Sequence, residues 1–170
     1  MMARPGVRGA RSPWSARVFR YGGHVGTVAA SIEVPLGIEA TWAAAVDWAG
    51  QHHWVPGSTV RATGGTGFGS TIEARTGRGP LCIVDPMEVT AWDPPYRAVL
   101  AHTGRIVRGM AIYEMTSLGA ERTRFTWTET LDPPNPTLGP LYLIGTTMFG
   151  ELIRVALRRF VRWAPTRATA

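Results

Sequence analysis

Apolar and polar residues alternate along "TVAASIEVP" (27–35), the period-two pattern of a strand with one buried face, and Pro35 closes the run. The period then changes. In "GIEATWAAAVDWAG" (37–50), Ile38, Trp42, Ala45 and Val46 recur at helical spacing, and Gly50 supplies a stop. Six more strand-like runs follow: "STVRATGG" (58–65), "GSTIEARTG" (69–77), "LCIVDPMEVTAW" (81–92), "YRAVLAHTG" (96–104), "IVRGMAIYEMTS" (106–117) and "ERTRFTWTETL" (121–131). Turn residues such as "GGTGFG", "GRGP", "DPP" and "LGA" separate them. Connections this short make successive strands antiparallel neighbours.

The chain ends helically. The spacing is helical from Leu138 to Trp163, and Ile153, Ala156, Leu157, Phe160, Val161 and the following Ala164 form one apolar stripe, with Arg154, Arg158 and Arg162 on the solvated face. Pro165 is expected to end the helix. Residues 137–150 are apolar, but Glu151 interrupts them short of the roughly 20 residues a membrane span requires, so no span is expected. The pattern predicts an α+β fold: a curved, seven-stranded antiparallel sheet around a long C-terminal helix, with one or two short helices between strands 1 and 2. A helix of about 25 residues reaches some 37 Å, and a seven-stranded sheet twists. The helix therefore covers part of the concave face, and inward side chains line the space left over.

Length and composition allow one domain, read as residues 24–165, between an arginine-rich flexible extension (1–23) and a short tail (166–170). With 45% hydrophobic residues the chain can build a core. A single cysteine, Cys82, cannot form an internal disulfide, which makes a reducing, cytoplasmic setting the default. The net charge of +6 comes from the ends: residues 1–20 carry +5, residues 151–170 carry +4, and 21–150 carry −3. A nucleic-acid surface would put basic residues among aromatics on the fold itself, so no nucleic-acid partner is expected. The terminal arginines leave weak contact with an anionic surface open.

Candidate chemistry is sparse. "GGTGFGS" (64–70) leads into a strand rather than a helix, and the chain has no lysine to reach a phosphate, so it reads as a turn. In "AVDWAGQHHWVPGS" (45–58), His52 and His53 are adjacent and their side chains diverge. His24 and His102 supply no metal-ligand spacing, so neither metal nor cofactor is expected. Asp47 reads as a surface or helix-end residue. On "ERTRFTWTET", Phe125, Trp127 and Glu129 share a face, and the aromatic pair should turn it inward. Parity on "IVRGMAIYEM" is ambiguous; Tyr113 inward is favoured, since its hydroxyl can orient a ligand while its ring packs. His102, and Glu73 or Arg75, are further polar candidates, each of which outward placement or cross-strand pairing would equally explain. Met110, Met115, Met148 and Phe149 either adapt to a ligand or fill the core.

Several segments together resemble the START-like, Bet v 1-like (SRPBCC) superfamily, with its helix-grip fold, and in particular its polyketide cyclase/dehydrase and lipid-transport type. They are "EVPLGIEATWAAAVDW", "HHWVPG", "GFGSTIEAR", "VTAWDPPYR" and "ERTRFTWTETL", in order across residues 27–163. The resemblance implies an internal cavity, with the "HHWVPG" segment at its mouth and Trp54 and Pro56 as an apolar rim. Trp42, Trp54, Ile72, Met110 and Tyr113 are then candidates for ligand contact, as are Phe125, Trp127, Met148, Phe149 and Leu152. The resemblance implies function poorly, because one fold hosts carriers, enzymes and receptors. One reading is a monomeric or homodimeric binder of a small hydrophobic molecule such as a lipid, isoprenoid or polyketide. A second is an aromatase/cyclase or dehydratase using Tyr113 with Glu129 or His102 as its acid/base pair. A third is an adaptor whose basic C-terminal helix meets an acidic partner or a membrane surface.

Overall fold

The computed structural model describes residues 16–19, 26–132, 135, 137 and 139–168. The elements are β1 (Ala16–Phe19), β2 (Gly26–Val34), α1 (Ile38–Ala45), a 3₁₀ turn (Ala49–His53), β3 (Ser58–Thr63), β4 (Thr71–Thr76), β5 (Ile83–Asp93), β6 (Arg97–Thr103), β7 (Arg108–Gly119), β8 (Arg122–Leu131) and α2 (Gly139–Ala168). All seven strands read from the sequence form. An eighth is added, because Ala16–Phe19, expected to be flexible, pairs antiparallel with β2 at the sheet edge. The remainder of the 1–23 extension, His24 and residues 169–170 lie outside the described residues.

The sheet order is β1-β2-β8-β7-β6-β5-β4-β3, antiparallel throughout. Strands β3 to β8 run as a meander, as their short turns dictate. β2 and β3 lie far apart in the sheet, and α1 and the 3₁₀ turn bridge them. Alternation sets the inward face: on β2, Val28, Ala30, Ile32 and Val34 are buried while Glu33 is exposed. Across from them, β8 sets Glu129 opposite Val28, Trp127 opposite Ala30 and Phe125 opposite Ile32.

Helix α2 packs chiefly on β2, at one side of the sheet. Close approach is set by Gly150, where an added Cβ would lie 2.8 Å from a Val28 methyl. Further along, Ile153, Leu157 and Phe160 are fully buried on the same stripe, each contributing about 1.5–3 kcal/mol by burial. Trp54, Phe125 and Phe160 meet edge to face beneath it, with ring centroids 5.1–6.4 Å apart. This half of the interior is filled solid.

Pro165 does not end the helix, and residues 166–168 of the expected tail belong to it. Proline's fixed φ is compatible with helix, and its costs are one missing backbone donor and the crowding of its ring against the carbonyl four residues back. The final turn is tied down by side chains instead. Thr166 Oγ1 donates to the Trp163 carbonyl at 2.7 Å, Arg167 pairs with Asp47 at 2.7 Å, and its guanidinium lies 5.5 Å from the Trp163 ring centroid.

Candidate functional site

Because α2 leans on the β2 side, it does not cover the β3–β7 part of the curved sheet, over which α1 and the 3₁₀ turn pack only in places. A cavity of about 530 Å³ occupies that space. Its walls are mostly apolar, drawn from every strand between β3 and β8 and from Trp48 and Val55 beside the 3₁₀ turn. On α2, Gly145, Met148, Phe149 and Leu152 face it at i, i+3, i+4 and i+7, one turn-repeating stripe. Ile83, Ile106 and Met148 also line it yet are well exposed, the last two at 65% and 71%. They mark the mouth.

One wall carries charge. His102 on β6 is sandwiched between two carboxylates: Nδ1 lies 2.8 Å from Asp85 Oδ2 on β5, and Nε2 lies 3.0 Å from Glu129 Oε2 on β8. The His102 and Glu129 side chains are only 3% and 2% exposed. Glu129 also accepts the Trp127 indole N–H through Oε1 at 2.7 Å. Burial by itself would lower the pKa of the imidazole. Glu129 and Asp85 together overcome that cost and lift it to about 10, so the ring is an imidazolium at neutral pH. Nearby, Tyr113 accepts a hydrogen bond from Gln51 Nε2 at 3.2 Å. Burial, reinforced by the Glu129 charge, pushes its hydroxyl well above the usual phenol range, and it stays protonated.

The charged wall exists because β7 is bare where it passes between β6 and β8. His102 pairs with Gly109 and Glu129 pairs with Ala111. Gly109 adopts φ +124°, and a Cβ there would overlap the Thr130 carbonyl. With almost nothing projecting from β7 at this level, two side chains meet across it.

The inward face of β8 is as its alternation suggested, and Tyr113, on a strand whose parity was ambiguous, turns inward as its chemistry favoured. Among the candidate contacts, Ile72, Tyr113, Trp127, Met148, Phe149 and Leu152 line the cavity, as do His102 and Glu129. Four do not. Trp42 packs edge-on against Trp92 at 4.9 Å beneath α1. Trp54 is no rim residue: the 3₁₀ turn folds it under α2, where it is fully buried. Phe125 lies in the same filled core, and Met110 sits on the face of β7 opposite to Tyr113. Glu73 and Arg75 pair with each other at 2.8 Å on the outer face of β4. His52 Nδ1 donates to the Ala49 carbonyl at 2.7 Å and His53 stacks on Trp163, so neither reaches the cavity. Asp85 and Gln51 were not anticipated, although Asp85 shares strand parity with Met87 and Val89.

A helix gripped by a curved antiparallel sheet, with a lined cavity between them, is the helix-grip class of fold. Residues 25–164 match the family described as polyketide cyclase / dehydrase and lipid transport, and the chain belongs to that family. Solved structures share the fold at low identity. The Zhui aromatase/cyclase from Streptomyces sp. R1128 superposes with a TM-score of 0.68 at 16% identity, covering 84% of this chain and 94% of that one. A START superfamily protein from Mycobacterium smegmatis gives 0.67 at 14%, covering 85% and 99%. The protein TTHA0849 from Thermus thermophilus gives 0.68 at 16%, covering 83% and 98%. The sequence matches none of the curated proteins. Among the described residues, no helix is long and apolar enough to cross a membrane.

Proposed function

We propose that this protein binds a small, mostly hydrocarbon ligand, a lipid, isoprenoid or polyketide-like molecule, between the sheet and α2. The observation that carries this reading is the 530 Å³ cavity, apolar over most of its wall, with an open mouth and a few polar groups gathered in one place. An apolar volume of that size would otherwise be a standing cost to stability, since unfilled space forfeits packing contacts. Native mass spectrometry of the purified protein should detect bound hydrophobic material. Leu152→Trp, which places an indole in the cavity, should release it without unfolding the chain. Protein that carries nothing and takes up no apolar probe would overturn the reading, as would a Leu152→Trp variant that retains its ligand.

A second reading is favoured by one specific contact, that of His102 with Glu129 inside the cavity. An imidazolium beside a carboxylate is a proton donor next to an acceptor, the pairing that an aromatase/cyclase or dehydratase needs to move protons on a folded polyketone. Pocket walls would supply orientation. The two readings separate on Glu129→Gln, assayed with a short poly-β-ketone thioester. A binder keeps ligand retention nearly unchanged and shows no turnover at all. An enzyme loses turnover in the variant while ligand binding survives.

A further inference from the structure

From the polar groups on the cavity wall we infer that the protein selects an uncharged ligand that donates a hydrogen bond (an alcohol, phenol or enol) and rejects the matching carboxylate. This rests on the ligand-binding reading above and narrows it.

The inference follows from where the protons are. The charged wall holds two carboxylates and one imidazolium. Both ring N–H groups of His102 are committed, Nδ1 to Asp85 and Nε2 to Glu129, and the Trp127 indole N–H is committed to Glu129 as well. What this wall has left to offer is carboxylate lone pairs, which are acceptors. Among the described residues lining the cavity, His102 is the one positive group, and there is no arginine or lysine with which an anionic head could pair. A ligand carboxylate would bring a third negative charge into an apolar, poorly screened space, with no donor at the cluster to receive it. A hydroxyl meets the opposite situation, because a carboxylate oxygen that already accepts one hydrogen bond has a further lone pair with which to accept its proton. The Tyr113 hydroxyl, which accepts from Gln51, keeps its own proton available for a ligand oxygen elsewhere in the cavity. An ammonium head is disfavoured for a different reason. The cluster's net charge of −1 attracts a cation, but both carboxylates are already paired with the imidazolium, and an ammonium gives up its hydration shell in an apolar cavity with only that residual charge to offset the cost.

The test displaces the neutral fluorophore N-phenyl-1-naphthylamine from the full chain with 1-dodecanol, dodecanoate and dodecylammonium at pH 7.5. The alcohol is expected to compete best, with the acid and the amine each at least roughly tenfold weaker. In Glu129→Gln the wall loses one negative charge, and the alcohol-over-acid preference should shrink to about threefold or less. Asp85→Asn, at a less buried position, provides the same reading should Glu129→Gln fold poorly. Equal or tighter binding of the acid overturns the inference and leaves the cavity reading standing. Tighter binding of the amine overturns it too, and reassigns the pocket to cations. A preference that survives intact in both folded variants would trace to general desolvation rather than to this wall, and also overturns it. Displacement by none of the three removes the ligand-binding reading together with this refinement.

Discussion

His102 Nε2 and Glu129 Oε2 lie 3.0 Å apart although their strands, β6 and β8, are not neighbours. Adjacent strands are about 4.8 Å apart, so the two backbones stand roughly 10 Å from each other. The contact spans that distance because the intervening strand shows only Gly109 and Ala111 to the interior at that level. A buried ion pair of this kind is a weak source of net stability and a strong constraint, since either partner left alone is a charge without compensation. Replacing His102 by leucine leaves Asp85 and Glu129 facing each other and should cost about 3–5 kcal/mol in denaturant unfolding. Neutralising both carboxylates in the same variant should recover most of that loss.

The same pair makes stability fall with rising pH. The folded-state pKa of His102, about 10, lies above its ordinary value of 6.5, so the folded protein holds a proton that the unfolded chain releases. Its contribution is complete below pH 6.5 and is lost as pH rises through 10. Urea midpoints measured from pH 6 to pH 10.5 should decline across that window. The decline should flatten in His102→Gln, while any fall that the variant retains belongs to other groups, Tyr113 among them. An identical slope in the two proteins would show that His102 does not hold the extra proton.

Gly109 should tolerate no side chain. Its φ of +124° is open to glycine and strained for L-residues, and the position of a Cβ coincides with the Thr130 carbonyl on β8. β7 is paired on both sides, so the backbone has little freedom to relax. Gly109→Ala is expected to lower stability by about 2 kcal/mol or more and to shift the His102 titration towards the ordinary range. Thermal unfolding followed with histidine NMR checks both. Gly119→Ala, with positive φ but open space around it, serves as the comparison and should cost less.

Trp54 tests the boundary between core and cavity. It is wholly buried against Phe125, Trp127 and Phe160, and its indole N–H has no hydrogen-bond partner among the described residues. Trp54→Ala should therefore cost about 3–5 kcal/mol. Trp54→Phe loses ring area but also removes the unpaired donor, an offset of about 1–3 kcal/mol, and should cost less than half as much. Equal costs in chemical denaturation would contradict this. Ligand retention should be unchanged in the phenylalanine variant, as Trp54 lies outside the cavity.

How far the site could be read from sequence depends on strand register. On β8 the alternation of Phe125, Trp127 and Glu129 is unbroken, and their inward placement followed from aromatic burial alone. The partners of His102 were harder. An unbroken ladder running back from Trp92 opposite Ala98 would set Glu88 opposite His102. The irregularity between Val89 and Ala91 shifts the register by one, places Met87 there, and turns Asp85 to the interior. No composition signal marks that shift. Trp54 was misplaced for a related reason: hydrophobicity reports that a residue will be covered, while the path of the 3₁₀ turn decides whether helix or ligand covers it. The order of elements needed neither detail, which is why the fold was legible and much of the pocket lining was not.

The last turn of α2 offers a test of how a helix survives its own proline. Pro165 removes one backbone donor, and the turn beyond it is held by Arg167, which pairs with Asp47 and lies over Trp163. Asp47 is itself fixed by the Gly50 backbone N–H, so the anchor connects α2 to the segment that follows α1. The pair is about half exposed on the arginine side, which limits its worth to roughly 1 kcal/mol or less. Arg167→Ala should therefore leave global stability almost untouched while raising amide exchange in residues 163–168 severalfold. In a Pro165→Ala background, where the missing N–H is restored, the same Arg167→Ala change should raise exchange much less. Equal increases in both backgrounds would mean that the ion pair and the proline act independently, and that the helix continues past residue 165 for some other reason.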